Sequence, residues 1–213
     1  MKLIAEKISK NIKGKKILED ICLEMDAGNV YGFWGRNGSG KTMLFRALSG
    51  LMRIDSGRIF WNGQELHRDF PVLPSLGIVL EHAGLYPGLT GMENLRYLAE
   101  IKGIADRQQI EAAMHRVGLD PCDKRTFGKY SMGMKQRLVI AQAVMEKPDV
   151  IMLDEPTNGL DENGVEEIRQ LIEQERKRGA LVLLASHNRE DMEILADRVY
   201  KAAEGHIVGE GRK

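Results

Sequence analysis

The sequence predicts an α/β fold built on a parallel sheet, and three observations support this prediction. Short apolar runs of strand length, such as residues 150–153 and 180–185, alternate with helical patterns. Polar residues follow these runs directly, as Asp154 follows the first of them. A glycine-rich stretch joins a further apolar run, Val30–Trp34, to a helix. Helices that alternate with strands, with functional residues at the carboxyl ends of those strands, are typical of a parallel sheet.

The composition is typical of a soluble globular protein, and its balanced charge leaves room only for a local basic patch. The chain has 213 residues, of which 43% are hydrophobic and 29% charged, enough for one domain with subdomains. Lys and Arg number 31, as do Asp and Glu, so the net charge of zero does not indicate a nucleic-acid partner. No membrane-spanning segment or signal peptide is expected, because the apolar runs have only strand length. Cys22 and Cys122 match no metal-binding spacing and suggest a reducing compartment.

The N-terminal part of the chain favours antiparallel strands. Residues 3–9 and 16–25 alternate loosely between apolar and polar side chains, with turn-forming residues between them. Residues 58–61 form another strand pattern, which ends at Asn62-Gly63, a pair suited to the positive φ angles of a type I′ hairpin turn. These pieces predict a small antiparallel sheet beside the parallel core.

The middle of the chain favours helices. Thr90 with Glu93, and Asp106 with Gln109, have the spacing of capping boxes, and each pair predicts the start of a helix. Ser131 is the expected N-cap of a third helix. These three helices are expected to end at Gly103, Gly118 and Pro148.

The remaining elements complete the alternation of strands and helices. Residues 76–80 form a buried strand pattern that precedes the helical region. Residues 162–178 form an amphipathic helix, residues 190–196 a short helix, and a hairpin around Glu204-Gly205 ends the chain.

Residues 35–42 match the phosphate-binding P-loop pattern G-x-x-x-x-G-K-[ST], placed between a strand and a helix as this pattern requires. Glycines allow the backbone N–H groups to approach an anion, and the helix start adds its positive dipole end. Lys41 is expected to reach the β- and γ-phosphates, and the Thr42 hydroxyl to ligate Mg²⁺. The expected nucleotide-binding residues of this stretch are Gly35, Arg36, Asn37, Gly38, Ser39, Gly40, Lys41, Thr42 and Met43.

Two further strand ends carry candidate catalytic groups. Asp154 is expected to hold Mg²⁺, and Glu155 to accept a proton from the attacking water. Without a P-loop elsewhere in the chain, the two acids would be interpreted as the point where a strand reaches solvent. His187, at the end of the next strand, is a candidate partner of the γ-phosphate. Ser131 and Gly133 open a second helix whose N-terminus suits an anion, although this stretch alone is an ordinary helix start.

Five motifs in order resemble the ATP-binding cassette of the ABC family over nearly the whole chain. They are the P-loop, Ser131-x-Gly133, Leu153-Asp154-Glu155-Pro156-Thr157, Gly159-Leu160-Asp161 and Ser186-His187. The version Tyr130-Ser131-Met132-Gly133-Met134-Lys135-Gln136-Arg137, with Leu85-Tyr86-Pro87-Gly88-Leu89-Thr90 upstream, is similar to single-cassette subunits of bacterial transporters, often exporters. The resemblance implies a P-loop NTPase core with a parallel sheet and an antiparallel β subdomain over residues 1–82 and 148–213. It implies a helical subdomain over residues 83–147.

The resemblance also implies how the chain works. Two copies form a head-to-tail dimer, as a homodimer or with a second cassette, and Ser131 and Gly133 of one copy cover the ATP held by the P-loop of the other. Glu155 becomes the general base, Asp154 a carboxylate near Mg²⁺, and His187 the γ-phosphate contact. Dimer closure drives separate transmembrane permease subunits, so the chain is expected in the cytoplasm, on the inner face of the cell membrane.

Three features depart from the family pattern. Ile12 stands where an aromatic ring usually stacks on adenine, which predicts weaker ATP binding. Glu81 replaces a glutamine, and it either ligates Mg²⁺ or turns outward until a partner docks. Met132 and Met134 replace a glycine and a glutamine of the commoner signature, so one polar contact across the interface is lost.

Two other classes of function compete with the transporter interpretation. A soluble cassette in DNA repair, translation or iron–sulfur assembly shares the motifs, but the chain has no long coiled-coil insertion and no second cassette. A small-molecule kinase or a GTPase shares only the P-loop; the Asn-Lys-x-Asp clamp of a GTPase is missing.

Overall fold

The computed structural model describes residues 1–80 and 84–212, which form two sheets and surrounding helices. The strands are β1 (Lys2–Ile12), β2 (Lys15–Asp26), β3 (Val30–Trp34), β4 (Ser56–Trp61), β5 (Gln64–Glu65), β6 (Leu76–Val79), β7 (Val150–Asp154), β8 (Leu181–Ser186), β9 (Arg198–Ala203) and β10 (His206–Arg212). The helices are α1 (Lys41–Ser49), α2 (Gly91–Lys102), α3 (Arg107–Arg116), α4 (Met132–Val144), α5 (Glu162–Lys177) and α6 (Arg189–Leu195).

The first sheet is antiparallel, with strand order β2-β1-β4-β5. Its long strands β1 and β2 pair from Lys2 opposite Asp26 to Ile12 opposite Lys15. Asn62 and Gly63 both have positive φ angles, 51° and 82°, as a type I′ turn requires. The predicted antiparallel sheet is therefore present, and its two long strands extend a few residues beyond the predicted limits.

The second sheet has the strand order β10-β9-β3-β8-β7-β6 and is parallel from β9 to β6. β3, β8 and β7 are neighbours, and their carboxyl ends lie at one edge of the sheet. Because the P-loop, Ser186-His187 and Asp154-Glu155 follow these three strands, the strand order collects the expected chemistry at that edge.

Helices α2, α3 and α4 lie between β6 and β7 in the chain. Both predicted capping boxes are present, at Thr90 with Glu93 and at Asp106 with Gln109. Gly103 and Gly118 adopt the left-handed conformation that ends α2 and α3. A buried cluster packs these helices and α5 on one face of the parallel sheet, while α1 and the antiparallel sheet pack on the other.

The predicted α/β class is confirmed, and most element limits agree within one to three residues. The sequence patterns missed β5 and a single 3-10 turn, Phe127–Lys129, because two or three residues are too few to show a period. The predicted strand before Glu81 ends at Val79, and Glu81 itself lies outside the described residues. In the described part of the chain, every helix is too short or too polar to cross a membrane.

Candidate ATP-binding and hydrolysis site

The P-loop connects β3 to α1, so its backbone turns sharply before the helix begins at Lys41. Gly38 and Gly40 make this turn with φ angles of 81° and 102°. Side chains rarely adopt these angles, which explains why glycine stands at both positions. The first N–H groups of α1 therefore point into the space that the loop encloses.

Other strands hold the loop in place. A Cβ atom on Gly35 would lie 2.3 Å from the carbonyl oxygen of Ala202, on β9, so only glycine fits there. The Gly205 N–H, in the β9–β10 turn, donates to the Ser39 carbonyl at 3.1 Å. The Gly205 carbonyl in turn accepts from the Glu19 N–H of β2 at 3.0 Å. The C-terminal hairpin thus joins the P-loop to the antiparallel sheet.

Two buried side chains of the loop suit a phosphate ligand. The Lys41 ammonium group donates to the carbonyl oxygens of Gly35 at 2.7 Å and Arg36 at 3.2 Å, so it lies across the loop. The Ser39 hydroxyl is one of three buried side-chain polar atoms in the described residues that lack a hydrogen-bonding partner. Buried polar groups normally have partners, and a phosphate oxygen would be one for Ser39.

Thr42 and Asp154 meet across the end of the sheet, although 112 residues separate them. The Thr42 hydroxyl donates to a carboxylate oxygen of Asp154, which is buried at the end of β7. A hydroxyl and a carboxylate are the hard oxygen ligands that Mg²⁺ prefers. The described residues contain no cluster of three or more His, Cys, Asp or Glu side chains for a metal. This pair therefore fits an ion such as Mg²⁺ that takes its remaining ligands from substrate and water.

Glu155 leaves the end of β7 with a φ angle of 49°, and its carboxylate is held by three groups from the end of β8. It accepts hydrogen bonds from the His187 N–H at 3.0 Å and the Ser186 hydroxyl at 3.2 Å. The His187 Nδ1 atom lies 2.8 Å from the same carboxylate. The Glu155 side chain is 21% exposed and that of His187 55%, so both are accessible from the strand-end edge.

The structure adds two contacts that sequence reasoning missed. The Gln136 side-chain amide, on α4, donates to the carbonyl oxygens of Glu155 and Pro156 at 3.3 Å each. The Thr157 hydroxyl donates to the fully buried Asp191 carboxylate at 2.6 Å. These bonds hold the chain from Glu155 to Thr157 in place. No sequence signal identified them, because a side chain that binds a distant backbone leaves no spacing pattern.

Ser131 and Gly133 lie in a different place from the P-loop. Ser131 is the N-cap of α4 and accepts from the Met134 N–H at 3.2 Å. Both residues line an open cavity of about 740 Å³ that also contains Asp161 and Arg125, and none of residues 35–42 lines it. Met132 is 68% exposed beside this cavity. The structure therefore brings Lys41, Thr42 and Asp154 together but leaves Ser131 and Gly133 separate.

The ion pair of Arg125 with Asp123 lines the cavity beside Ser131. The Arg125 guanidinium binds the Asp123 carboxylate through two nitrogens, and this hydrogen bonding lowers the pKa of Asp123. Tyr130, the residue before Ser131, is buried outside the lining of this cavity, and burial raises the pKa of its hydroxyl.

Ile12 ends β1 at the tip of the β1–β2 hairpin, opposite Lys15, and is half-buried. This hairpin runs beside the P-loop, since the Ile17 carbonyl would lie 3.2 Å from a Cβ on Gly40. Met43, in the first turn of α1, is also half-buried. Their predicted roles in nucleotide binding, like that of Glu81, stay predictions.

A model of the ABC transporter family matches residues 18–158, which is more than half of the chain. The matched region contains the P-loop, the Ser131 stretch and Asp154-Glu155. Ile12, Asp161, Ser186, His187 and the C-terminal hairpin lie outside the matched region.

Curated relatives agree with the family match. An uncharacterized ABC transporter ATP-binding protein, YybJ of Bacillus subtilis, is 42% identical over 94% of this chain and 92% of its own length. The bacitracin transport ATP-binding protein BcrA of Bacillus licheniformis is 38% identical over 95% of this chain and 67% of its own.

A solved structure described as the ATP-binding subunit of an ABC transporter superposes with a TM-score of 0.90. It is 26% identical and covers all of this chain and 90% of its own. A soluble cassette of DNA repair, translation or iron–sulfur assembly is not favoured by these comparisons. The chain belongs to the ABC transporter family, as an ATP-binding subunit that hydrolyses ATP.

Proposed function

We propose that two copies of this cassette close head to tail on two MgATP molecules and that this closure drives export through separate transmembrane permease subunits. The partner cassette is a second copy of the chain or a related one. Each ATP is held by the P-loop of one copy and by Ser131 and Gly133 of the other.

The observation that carries this proposal is the separation of the two anion-binding helix starts. The start of α1 faces the P-loop, whereas the start of α4 faces a cavity that none of residues 35–42 lines. Ser131 is exposed there, and α4 is 13 residues long. A second cassette that presents its own P-loop would supply the anion that the start of α4 suits.

In the proposed reaction, Glu155 accepts a proton from the water that attacks the γ-phosphorus, and the bond to the β-phosphate oxygen breaks to give ADP and phosphate. The hydrogen bonds from Ser186 and the His187 N–H hold the carboxylate that takes this proton. Lys41 neutralises charge on the β- and γ-phosphates. His187 contacts the γ-phosphate through its second ring nitrogen, since Nδ1 faces Glu155.

Mg²⁺ would be held by the Thr42 hydroxyl, with Asp154 as the adjacent carboxylate and Glu81 as a further candidate ligand. An ion held there would supply positive charge that offsets the negative charge of the phosphates. The short pairing of Thr42 with Asp154 orients the hydroxyl for this role.

An exposed apolar surface supports the proposed membrane partner. Tyr86 and Tyr97 are each 49% exposed, with their ring centroids 5.3 Å apart in an edge-to-face arrangement. Ile101 follows one helical turn after Tyr97 and is 71% exposed. Contiguous patches of exposed apolar side chains often mark the sites where a protein binds another protein or a membrane.

Placement and direction complete the proposal. Because the cell supplies ATP in the cytoplasm, the cassette would work there, on the inner face of the cell membrane. Residues 83–147 would act as a helical subdomain that carries Ser131 towards the facing P-loop, with residues 1–82 and 148–213 as the nucleotide-binding core. Export is proposed from the resemblance of the motif around Ser131 to export cassettes.

The proposal is tested with Glu155→Gln, which keeps the side-chain shape but cannot accept the proton. With saturating MgATP, sedimentation should find the variant as a dimer, and with ADP as a monomer. A monomer at every concentration of MgATP, in detergent-solubilised membranes as well as in purified form, would contradict the head-to-tail site. Co-purification with ribosomes or DNA instead of a polytopic membrane protein would contradict the transporter partner.

A further inference from the structure

Asn94 is a buried amide that the reaction described above does not use. It lies in the first turn of α2 and is only 1% exposed. Its side-chain oxygen accepts from the Tyr86 N–H at 2.7 Å. Its nitrogen shares two N–H groups among three carbonyl oxygens, those of Tyr86 at 3.1 Å, Leu89 at 3.3 Å and Thr90 at 3.0 Å. One side chain therefore holds both ends of the segment 86–90, at Tyr86 and at Leu89 and Thr90.

The segment that Asn94 fixes is bonded to the segment that leads to Ser131. The Phe127 N–H donates to the Leu89 carbonyl at 2.7 Å, and the Gly128 N–H donates to the Pro87 carbonyl at 2.9 Å. Thr90 and Thr126 add an isolated antiparallel bridge. We call residues 86–90 and 126–128, with these bonds, the strap.

The strap reaches Ser131 through Tyr130. Tyr130 is 4% exposed, and its hydroxyl lies so close to Gly91, the first residue of α2, that a Cβ there would be 2.7 Å away. Ser131 is the next residue and the N-cap of α4. The backbone between the strap and this serine is itself ordered, because Phe127–Lys129 forms a 3-10 turn whose last hydrogen bond is donated by the Tyr130 N–H.

We infer that Asn94 is a positioning residue: through the strap it sets where Ser131 stands, and so sets the half-site offered to the facing cassette. This inference rests on the head-to-tail dimer proposed above. The hydrogen bonds of the Asn94 side chain go to Tyr86, Leu89 and Thr90 and not to the P-loop, so its effect is confined to the half of the site that Ser131 supplies. Because Tyr86 belongs both to the strap and to the exposed apolar surface, a protein bound at Tyr86 acts on the same segment.

The test uses the full chain with Glu155→Gln, Cys22→Ser and Cys122→Ser as the parent. Adding Asn94→Ala should raise the MgATP concentration needed for half-maximal dimerisation by about tenfold or more, since the amide's hydrogen bonds to Tyr86, Leu89 and Thr90 are lost. Binding of a fluorescent ATP analogue to dilute monomer should stay within about twofold of the parent, because the P-loop is untouched. A purely structural loss would weaken both measurements together.

Ile110→Ala is the matched control for lost stability. Ile110 is 2% exposed on α3 and makes none of the strap bonds. The Ile110→Ala variant should lower the melting temperature at least as far as Asn94→Ala does, because it leaves a cavity. Its MgATP-driven dimerisation should stay near that of the parent.

A reversible tether supplies the rescue. A Cβ on Gly128 would lie 3.5 Å from the Pro87 Cβ, within the range that a disulfide spans. In the Asn94→Ala background, Pro87→Cys with Gly128→Cys should restore dimerisation to within about threefold of the parent when oxidised, and dithiothreitol should remove the rescue.

Two results would overturn the inference. One is an Asn94→Ala variant that dimerises at the MgATP concentration of the parent. The other is an oxidised tether that dimerises no better than its reduced form. If the parent itself stays monomeric, the proposed dimer is refuted, and the inference with it. If the parent dimerises and either of the two results above is found, only the inference is refuted.

Discussion

At the scale of single residues, Glu155 separates ATP binding from hydrolysis. Its carboxylate is held by Ser186 and His187 and does not touch the P-loop lysine. Glu155→Gln should therefore lower the hydrolysis rate by about 10²-fold to 10⁴-fold, the usual contribution of a general base, while ATP affinity stays nearly unchanged.

Steady-state phosphate release and equilibrium binding of a nucleotide analogue measure the two quantities. Glu162→Gln is the matched control, since Glu162 is an exposed carboxylate in the first turn of α5, eight positions after Asp154 at the end of β7. If Glu155→Gln hydrolysed ATP at the wild-type rate, Glu155 could not be the general base.

Ile12 gives a second prediction at this scale. It is a half-buried aliphatic side chain at the hairpin tip beside the P-loop, where a ring would offer more contact area to adenine. Ile12→Tyr should tighten ATP binding by about threefold to tenfold, the value of one aromatic stacking contact. The dissociation constant of a fluorescent ATP analogue measures this change. The neighbouring exposed Asn11→Tyr should leave that constant as it is, and equal constants for Ile12→Tyr and the wild type would refute the adenine contact.

The residue types at the strand ends could be predicted, because each motif combines a local pattern with a chemistry that only a few side chains support. Thr42 and Asp154 were expected at one metal site, and the structure places them in contact. The amide of Gln136 against the Glu155 backbone could not be predicted. Such a contact depends on how α4 packs against β7, which no single segment encodes.

At the scale of elements, the capping box of α3 should contribute stability but no activity. Asp106 accepts from the Gln109 N–H at 2.8 Å, and the Gln109 side chain accepts from the Asp106 N–H at 2.8 Å. Asp106→Ala should lower the free energy of unfolding by about 1 kcal/mol, the typical value of an N-cap. Urea denaturation measures the loss. The exposed Gln108→Ala, on the same helix, should cost far less, and an equal loss in both variants would refute the cap.

The β9–β10 turn should act on the P-loop. Gly205 has a φ angle of 83°, and a Cβ there would lie 2.6 Å from the Ile17 carbonyl. Gly205→Ala should therefore shift the turn away from Ser39 and weaken ATP binding, because the Gly205 N–H supports that part of the loop.

Gly209→Ala is the control for this turn, since Gly209 lies in the same hairpin with open space around its Cβ position. Isothermal titration with ATP compares the two variants. An unchanged dissociation constant in a folded Gly205→Ala protein would show that the turn does not support the loop.

Local signals explain why the elements were predictable. Capping boxes, left-handed glycines and the Asn62-Gly63 pair each act within a few residues, and each one lies at the expected end of an element. The strap escaped prediction for the opposite reason. It joins residues 86–90 to residues 126–128 by backbone hydrogen bonds, which carry no side-chain signature.

At the scale of the whole molecule, the strand order decides what one chain can do. The order β3-β8-β7 gathers the P-loop, His187, Asp154 and Glu155 at one edge of the sheet. The position of α4 turns Ser131 towards a separate cavity. The sequence predicted a parallel sheet but could not give this order, because strand neighbours depend on long-range pairing.

The central claim is that each ATP is enclosed by the P-loop of one cassette and the Ser131 stretch of another. Mixing two inactive variants tests this claim most directly. Lys41→Ala disables the P-loop, and Ser131→Glu places a carboxylate where the facing phosphate would bind. Each homodimer has two defective sites, whereas a mixed dimer has one intact site, formed by the Lys41 of one copy and the Ser131 of the other.

The measurement is the ATPase rate of the two variants separately and mixed in equal amounts, beside the wild type. If half of the dimers are mixed and each has one working site of two, the mixture should recover about a quarter of the wild-type rate. A mixture no faster than the sum of its separate components, under conditions where the wild type is active, would contradict the shared site.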